Sequence, residues 1–291
     1  MNNIPLKTET LVEALPYIQR YEGKTFVIKY GGAAMVNPEL RETFAQDITV
    51  LTKIGINIVI VHGGGREITA TADRLGLTST FVDGQRVTDE AMMDVVQMVL
   101  AGKTNKDIAA AINRHDGNAV GLCGLDADML TVTPAKDGTL GFVGEVKEVK
   151  PALMILLLAN RYIPVIAPIG IGHDRQFFNV NADLAASAIA SALKAEKLIY
   201  LSDVEGIMVG GELIHSMHGT RAEELIHDGI IVNGMIPKIQ SACSALDGGV
   251  AKVHMIDGRV KHALLLEMFT KDGIGTEVTP SPVYSLMEDL Q

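Results

Sequence analysis

Short runs of β-branched and aliphatic residues alternate along this chain with longer segments of helical period. That pattern builds βαβ units and a mostly parallel sheet covered by helices on both faces, so the class is α/β. Thr25 to Tyr30 and Ile56 to Val61 read as buried strands, each running straight into glycines and then into a helical segment. Ile163 to Ala167, Lys197 to Leu201 and Lys252 to Ile256 read as further strands. After Thr88, the residues Met92, Val95, Val96 and Val99 recur at i, i+3, i+4 and i+7, the spacing of a helix with one buried face. Ala182 to Ala195 is so rich in alanine that a helix there can pack very closely on a sheet, with Leu184, Ala188 and Ala192 along one face. Another helix is expected from about Ile236 to Leu246.

Ahead of the first strand, Thr10 and Glu13 form a capping-box pair, Leu11, Ala14, Leu15 and Ile18 form an apolar stripe, and Pro16 predicts a kink. Such a stripe has to pack on the protein's own sheet or on another subunit. The expected division is a helical piece at 1–24, one lobe at 25–194 and a second at 195–291, with no Ser/Gly/Pro linker or internal repeat at the boundary.

Composition narrows the class of function. With 291 residues and 47% hydrophobic content, the chain can bury a full core. Its longest purely apolar stretch, Ala152 to Ala159, is too short to cross a bilayer, and Met1-Asn2-Asn3 lacks the basic start of a secretory signal. Cys123 and Cys243 are too few for a disulfide framework and are not spaced as metal ligands; buried reduced thiols fit a soluble cytoplasmic protein. A formal charge of -10 without a basic run argues against nucleic acid and against anionic membranes as partners. Small anions remain open, because a few converging donors in a cleft decide their binding locally. His215 and His218 are too weak a pair for zinc, and no metal site is expected.

Three glycine-rich or cap-rich segments carry the candidate chemistry. In Val27-Ile28-Lys29-Tyr30-Gly31-Gly32 a lysine stands beside two glycines at a strand's C-terminal end, where ligands of parallel sheets bind. Lys29 is then either a cation for a phosphoryl group or a solvated lysine in a tight turn. Val61-His62-Gly63-Gly64-Gly65 costs conformational entropy that makes sense if backbone N–H groups face an anion. An oxyanion hole of the esterase kind is the competing reading, but it needs a Gly-x-Ser-x-Gly that the chain lacks. In Asn179-Val180-Asn181-Ala182-Asp183, Asn181 reads as a helix cap and Asp183 lies in the first helical turn. Ala101-Gly102-Lys103-Thr104 is no P-loop, since the first glycine of that motif would fall on Gln97 and a helix precedes it.

Together with Gly84-Gln85-Arg86-Val87-Thr88, Leu201-Ser202-Asp203-Val204-Glu205-Gly206 and Gly234-Met235-Ile236-Pro237-Lys238, these segments resemble the N-acetylglutamate kinases of the amino-acid kinase family, in order and spacing over nearly the whole chain. The resemblance implies a three-layer αβα sandwich of the carbamate-kinase-like kind, with an eight-stranded, largely parallel central sheet. It implies an N-terminal lobe for N-acetyl-L-glutamate and a C-terminal lobe for ATP, with Mg2+ arriving on the nucleotide. The activity implied is phosphorylation of the γ-carboxylate in arginine biosynthesis.

By the same resemblance, Lys29 and Lys238 match the lysines that stabilise the transferring phosphoryl group, and Asp183 the aspartate that orients them. Gly64, Gly65, Arg86 and Asn179 match the substrate-binding positions; Gly31, Gly32, Asp203 and Met235 fall where the family surrounds ATP. The N-terminal helix, His262, Glu267 and Gly273 look like the arginine-inhibited branch, implying arginine as an effector and a hexamer built as a trimer of dimers. Glutamate 5-kinase, aspartokinase and UMP kinase share the scaffold, as does N-acetylglutamate synthase, for whose acetyltransferase domain the residues after Thr276 leave no room. From another class, a catalytically silent amino-acid sensor could keep the same fold.

Overall fold

The computed structural model describes residues 4–232, 234–271 and 273–281, with side chains from residue 12 onward. Its central sheet has eight strands: β1 (Thr25–Tyr30), β2 (Asn57–His62), β3 (Ala119–Cys123), β4 (Ile163–Ala167), β5 (Lys197–Ser202), β6 (Ser216–His218), β7 (Lys252–Asp257) and β8 (Thr276–Thr279). They lie in the order β6-β8-β7-β5-β1-β2-β4-β3. Every neighbouring pair is parallel except β7 with β8. Residues before 195 supply one half of the sheet and residues after it the other. The halves join at β1 and β5, where Lys29 stands beside Tyr200.

The strands read as nearly unbroken Val/Ile runs because helices cover both faces. Successive β1 residues point opposite ways: Val27 enters one core with Val59 and Tyr200, whereas Phe26 and Ile28 enter the other with Ile58 and Ile60. The helices that matter here are α1 (Ile4–Tyr21), α2 (Pro38–Lys53), α3 (Gly65–Arg74), α4 (Glu90–Gln97), α5 (Ala182–Ala192), α6 (Met235–Asp247) and α7 (Ala263–Phe269). Phe44, Ile48 and Leu51 of α2 and Leu264 of α7 fill the second core; α5 and α6 cover the first.

Several expectations need correction. Helix α1 starts at Ile4, so Thr10 lies inside it and does not cap it; the side chains of Thr10 and Leu11 lie outside the described residues. Pro16 is inside the helix. Tyr17 meets Phe269 edge-on at 6.5 Å between ring centres and Tyr21 meets Phe26 at 5.2 Å, so the end of α1 packs on its own chain, while Leu15 stays 49% exposed.

On α5 the buried face is Ala185, Ala186, Ile189 and Ala190, and Leu184 is 37% exposed. Asn181 caps this helix by accepting from the N–H groups of Asp183 and Leu184 at 2.8 and 3.3 Å. The rotation that turns Asp183 inward leaves Leu184, one step of about 100° further round, on the rim. Helix α4 continues into a π-helical turn, Met98–Thr104, which buries Val99 and contains the glycine and lysine of the rejected P-loop. Four short strands at 130–134, 143–149, 169–171 and 177–180 close on one another as a separate small sheet, which the sequence did not announce. Among the described residues no helix is long and apolar enough to cross a membrane.

One buried polar contact pins the end of β2. His62 is fully buried; its Nδ1 donates to the Gly63 carbonyl at 2.7 Å and its Nε2 accepts from the Asn105 amide at 3.1 Å. Asn105 also donates to the Val165 carbonyl of β4 at 2.8 Å. Burial drives the imidazole pKa down from 6.5 to about 4, so the ring stays neutral. The unfolded chain takes up this proton first as pH falls, so the stability tied to a neutral His62 is lost between about pH 6.5 and 4. Asp47, pushed up to about 6 by burial against the opposing pull of His262, works in the other direction over most of that window. The difference between proteins therefore isolates the histidine: urea unfolding from pH 7 to 4.5 is expected to show a shallower acid loss for His62→Gln than for the unaltered chain. Parallel curves would refute the assignment.

Candidate active site

The C-terminal ends of β5, β1 and β2 lie side by side, in register at Lys29 with Tyr200 and Val61. At β1 the chain turns through Gly31 and Gly32. A Cβ on Gly31 would stand 2.8 Å from the Lys29 ammonium, so the lysine folds back over the turn. Gly32 has φ 70°, and the Asp203 carboxylate at the end of β5 occupies the space a side chain would need. That carboxylate accepts the Ala33 N–H at 2.5 Å. Only glycine combines this backbone with this approach.

Asp183, in the first turn of α5, gathers the two lysines. Its Oδ2 accepts from Lys238 Nζ at 2.7 Å and its Oδ1 lies 2.9 Å from Lys29 Nζ. Lys29 meets Oδ1 as a close ion pair. Burial alone would raise the Asp183 pKa; the ammoniums of Lys29 and Lys238 overcome that and hold the carboxyl below its ordinary range. The Ser241 hydroxyl donates to the Asp183 carbonyl at 3.0 Å and is itself 2.7 Å from the Tyr200 hydroxyl, so β5 and α6 both fix the helix start. Two cations against one carboxylate leave a net positive charge in a mostly buried place, an arrangement completed by an anion.

Beside this triad a cavity of about 230 Å3 is lined by Gly63, Gly64, Gly65, Arg86, Asn179 and Leu100 among others. Gly64 admits no side chain without displacing Leu100, whose Cδ2 would stand 2.5 Å from its Cβ. Arg86 is 7% exposed, lies over the Phe81 ring at 4.7 Å, and donates to the Gly65 carbonyl at 2.9 Å, to Thr69 Oγ1 at 2.8 Å and to the Ser79 hydroxyl. Burial lowers its pKa, yet a guanidinium keeps its charge at any physiological pH. Asn179 donates to Thr88 Oγ1 at 3.3 Å, and Thr88 is fully buried. A guanidinium, a side-chain amide and a helix start thus face one small anion-sized space.

The remaining expected residues divide. Met235 opens α6 and is half-buried against the first core, beside Ile236. Glu267 and Gly273 are together: a Cβ on Gly273 would stand 2.7 Å from Glu267 Oε2, which accepts the N–H groups of Ile274 and Gly275 at 2.7 and 3.1 Å. His262 is elsewhere. Its left-handed backbone, φ 56°, caps α7 and turns the ring to Asp47 of α2, 2.6 Å from Nδ1. The histidine beside Glu267 is His254 on β7, whose Nδ1 meets Glu267 Oε1 at 2.6 Å. With Tyr17, Tyr21, Lys197, Lys252 and Glu277 these residues line a second cavity, about 630 Å3, between α1 and the end of the sheet. Burial lowers Lys197 to about 8 and also pulls His254 down. Asn105, Ser241, Tyr200 and His254 carry no sequence signal that sets them apart; each is recognisable only through its partner in space.

The amino acid kinase family model matches residues 24–257. The acetylglutamate kinase of Chlorobaculum parvum is 56% identical over 94% of this chain and 91% of its own length. That of Aquifex aeolicus is 52% identical over 96% and 99%. Among solved structures, N-acetylglutamate synthase from Neisseria gonorrhoeae, complexed with coenzyme A and N-acetyl-glutamate, superposes with a TM-score of 0.85 at 29% identity over 94% of this chain, which spans 64% of that longer chain. Carbamate kinase from Giardia lamblia, at 18% identity and a TM-score of 0.68, shares the fold. The family-model match over residues 24–257 and the identity to these relatives over most of the chain show that it belongs to the amino acid kinase family.

Proposed function

We propose that this chain transfers the γ-phosphoryl group of ATP to the γ-carboxylate of N-acetyl-L-glutamate, giving N-acetylglutamyl 5-phosphate and ADP in arginine biosynthesis. One observation carries the reading: Lys29 of β1 and Lys238 of α6, one from each side of residue 195, hold the same Asp183 beside a glycine-lined cavity. A carboxylate oxygen attacks the γ-phosphorus, one C–O–P linkage forms, and the bond to the β,γ-bridging oxygen breaks with its electron pair leaving on ADP. The acceptor is already ionised near neutral pH, so the reacting atoms exchange no proton and no general base is required. Bringing two anions together is the obstacle, and positioning with charge neutralisation removes it.

In this reading the lysines act on the equatorial phosphoryl oxygens and Asp183 keeps both aimed. Arg86 takes the substrate's α-carboxylate in its planar fork, with Asn179 and the backbone of Gly64 and Gly65 beside it. Asp203 and Met235 border the nucleotide from residues 195–291, the ATP lobe, and Gly31 and Gly32 at the end of β1 meet it from the acceptor lobe, 25–194. Among the described residues no three His, Cys, Asp or Glu side chains gather as a metal set. Mg2+ would be held by phosphate oxygens and water, as this reluctantly dehydrated ion commonly is. Two unpaired cysteines suit work in the cytoplasm. Hydroxylamine trapping of the acyl phosphate, with N-acetylglutamate, glutamate and aspartate compared, tests the reaction. Lys29→Ala and Lys238→Ala are each expected to cut kcat by about 10²–10³. Unaltered rates, or preference for a free amino acid, would contradict the roles or the substrate.

The second cavity supports feedback inhibition by arginine. Glu267 and Glu277 offer carboxylates to a guanidinium, and Lys197 and Lys252 offer cations to an amino-acid carboxylate, with Tyr17 and Tyr21 of α1 forming the wall. The exposed Leu15 leaves the outer side of α1 free to pair with a neighbouring subunit, and a hexamer of interlaced dimers would use it. Titration calorimetry is expected to show arginine affinity falling about tenfold or more in Glu267→Gln. Deleting residues 1–22 is expected to leave catalysis and reduce the sedimentation coefficient to that of a dimer. Full arginine affinity in the variant, or an unchanged coefficient after deletion, would count against this regulation.

A further inference from the structure

Arg66 follows Gly65 in the first turn of α3, just past the end of β2, and Asp203 follows the end of β5. Strand β1 lies between those two strands, so the pair has to reach over its end. It does so: Arg66 Nη2 stands 3.7 Å from Asp203 Oδ2. The guanidinium is thus drawn across the end of β1 to the carboxylate that packs on Gly32, beside the turn over which the Lys29 ammonium is folded.

The two partners are held unequally. Asp203 is anchored by the Ala33 N–H at 2.5 Å and by its close fit against Gly32. The Arg66 side chain is 66% exposed, and its contact is longer than a hydrogen bond. An exposed pair of this kind restrains a side chain only weakly. Arg86 nearby differs in every respect, being buried and bonded to three partners.

Resting on the kinase reading above, we propose that Arg66 is a third cation of the phosphoryl site: Asp203 parks it beside the β1 turn, and it moves onto the γ-phosphate of bound ATP. In the kinase reading the nucleotide borders the Gly31–Gly32 turn, against which the Asp203 carboxylate that holds this guanidinium is packed. Charge supplies the reason. Asp183 cancels one of the two lysines, so besides the Mg2+ carried by the nucleotide the protein's triad offers a single net positive charge to a γ-phosphate and an acceptor carboxylate. A planar, weakly hydrated guanidinium that can bond two oxygens at once fits that deficit. Asp203, by holding the cation at the nucleotide side of the turn, keeps it from settling on the substrate carboxylate that Arg86 serves.

Equilibrium binding of ADP and of the non-hydrolysable ATP analogue AMP-PNP distinguishes this role from a surface ion pair. Arg66→Ala is expected to weaken AMP-PNP by about tenfold and ADP by less than about twofold, with Arg66→Lys recovering part of the difference. A loss shared equally by both nucleotides, or no loss for either, would overturn the assignment, and Arg66→Gln repeats the comparison with a side chain that keeps helix packing. The underlying kinase reading fails separately, through an unaltered chain that makes no acyl phosphate from N-acetylglutamate; that result would remove both.

Discussion

Two ammonium groups sharing one buried carboxylate set the terms for the rest of this molecule. Like charges brought this close repel strongly in a medium poorer than water at screening them, and Asp183 is what makes the convergence of Lys29 and Lys238 tolerable. The carboxylate in turn needs a fixed helix start, supplied by the Asn181 cap and by the chain of hydroxyls from Tyr200 through Ser241 to the Asp183 carbonyl. A partly neutralised triad with one positive charge to spare can exist without ligand and still prefer one that is anionic.

The parallel sheet turns that local need into a site. Because β5, β1 and β2 run the same way and in register, their C-terminal turns open on one edge, and groups separated by 150 residues or more in sequence become neighbours. Glycine is required where two of those turns touch, as at Gly32 against Asp203, and where a side chain would invade the cavity, as at Gly64 against Leu100. Behind the turns, the neutral His62 and the amide of Asn105 tie β2 to β4, so the glycine loop rests on a rigid, dry support.

The strands were legible because burial on both faces leaves few choices besides Val and Ile, and β1 and β4 fall at the residues their sequences indicate. The glycine turns were legible because their entropic cost demands a reason. Elsewhere the signal was absent. An alanine-rich helix such as α5 has little contrast between its faces, so its rotation is set by the cap and by Asp183, and Leu184 points outward. The small closed sheet is built of strands as short as three residues. His262 was grouped with Glu267 and Gly273 through the family resemblance; a left-handed residue at the start of α7 sends its ring to Asp47, and β7 places His254 beside Glu267. Arg66 in a first helical turn has the sequence of any solvated arginine, and only the register of three strands reveals that it reaches across the end of β1.

Crystallography of the chain with ADP, tetrafluoroaluminate and N-acetylglutamate tests the central claim most directly, since that planar anion imitates the phosphoryl group in flight. Both Lys29 Nζ and Lys238 Nζ are expected within hydrogen-bond distance of the same aluminium fluoride, with Asp183 still bridging them. A fluoride held by one lysine while the other faces solvent would contradict that claim.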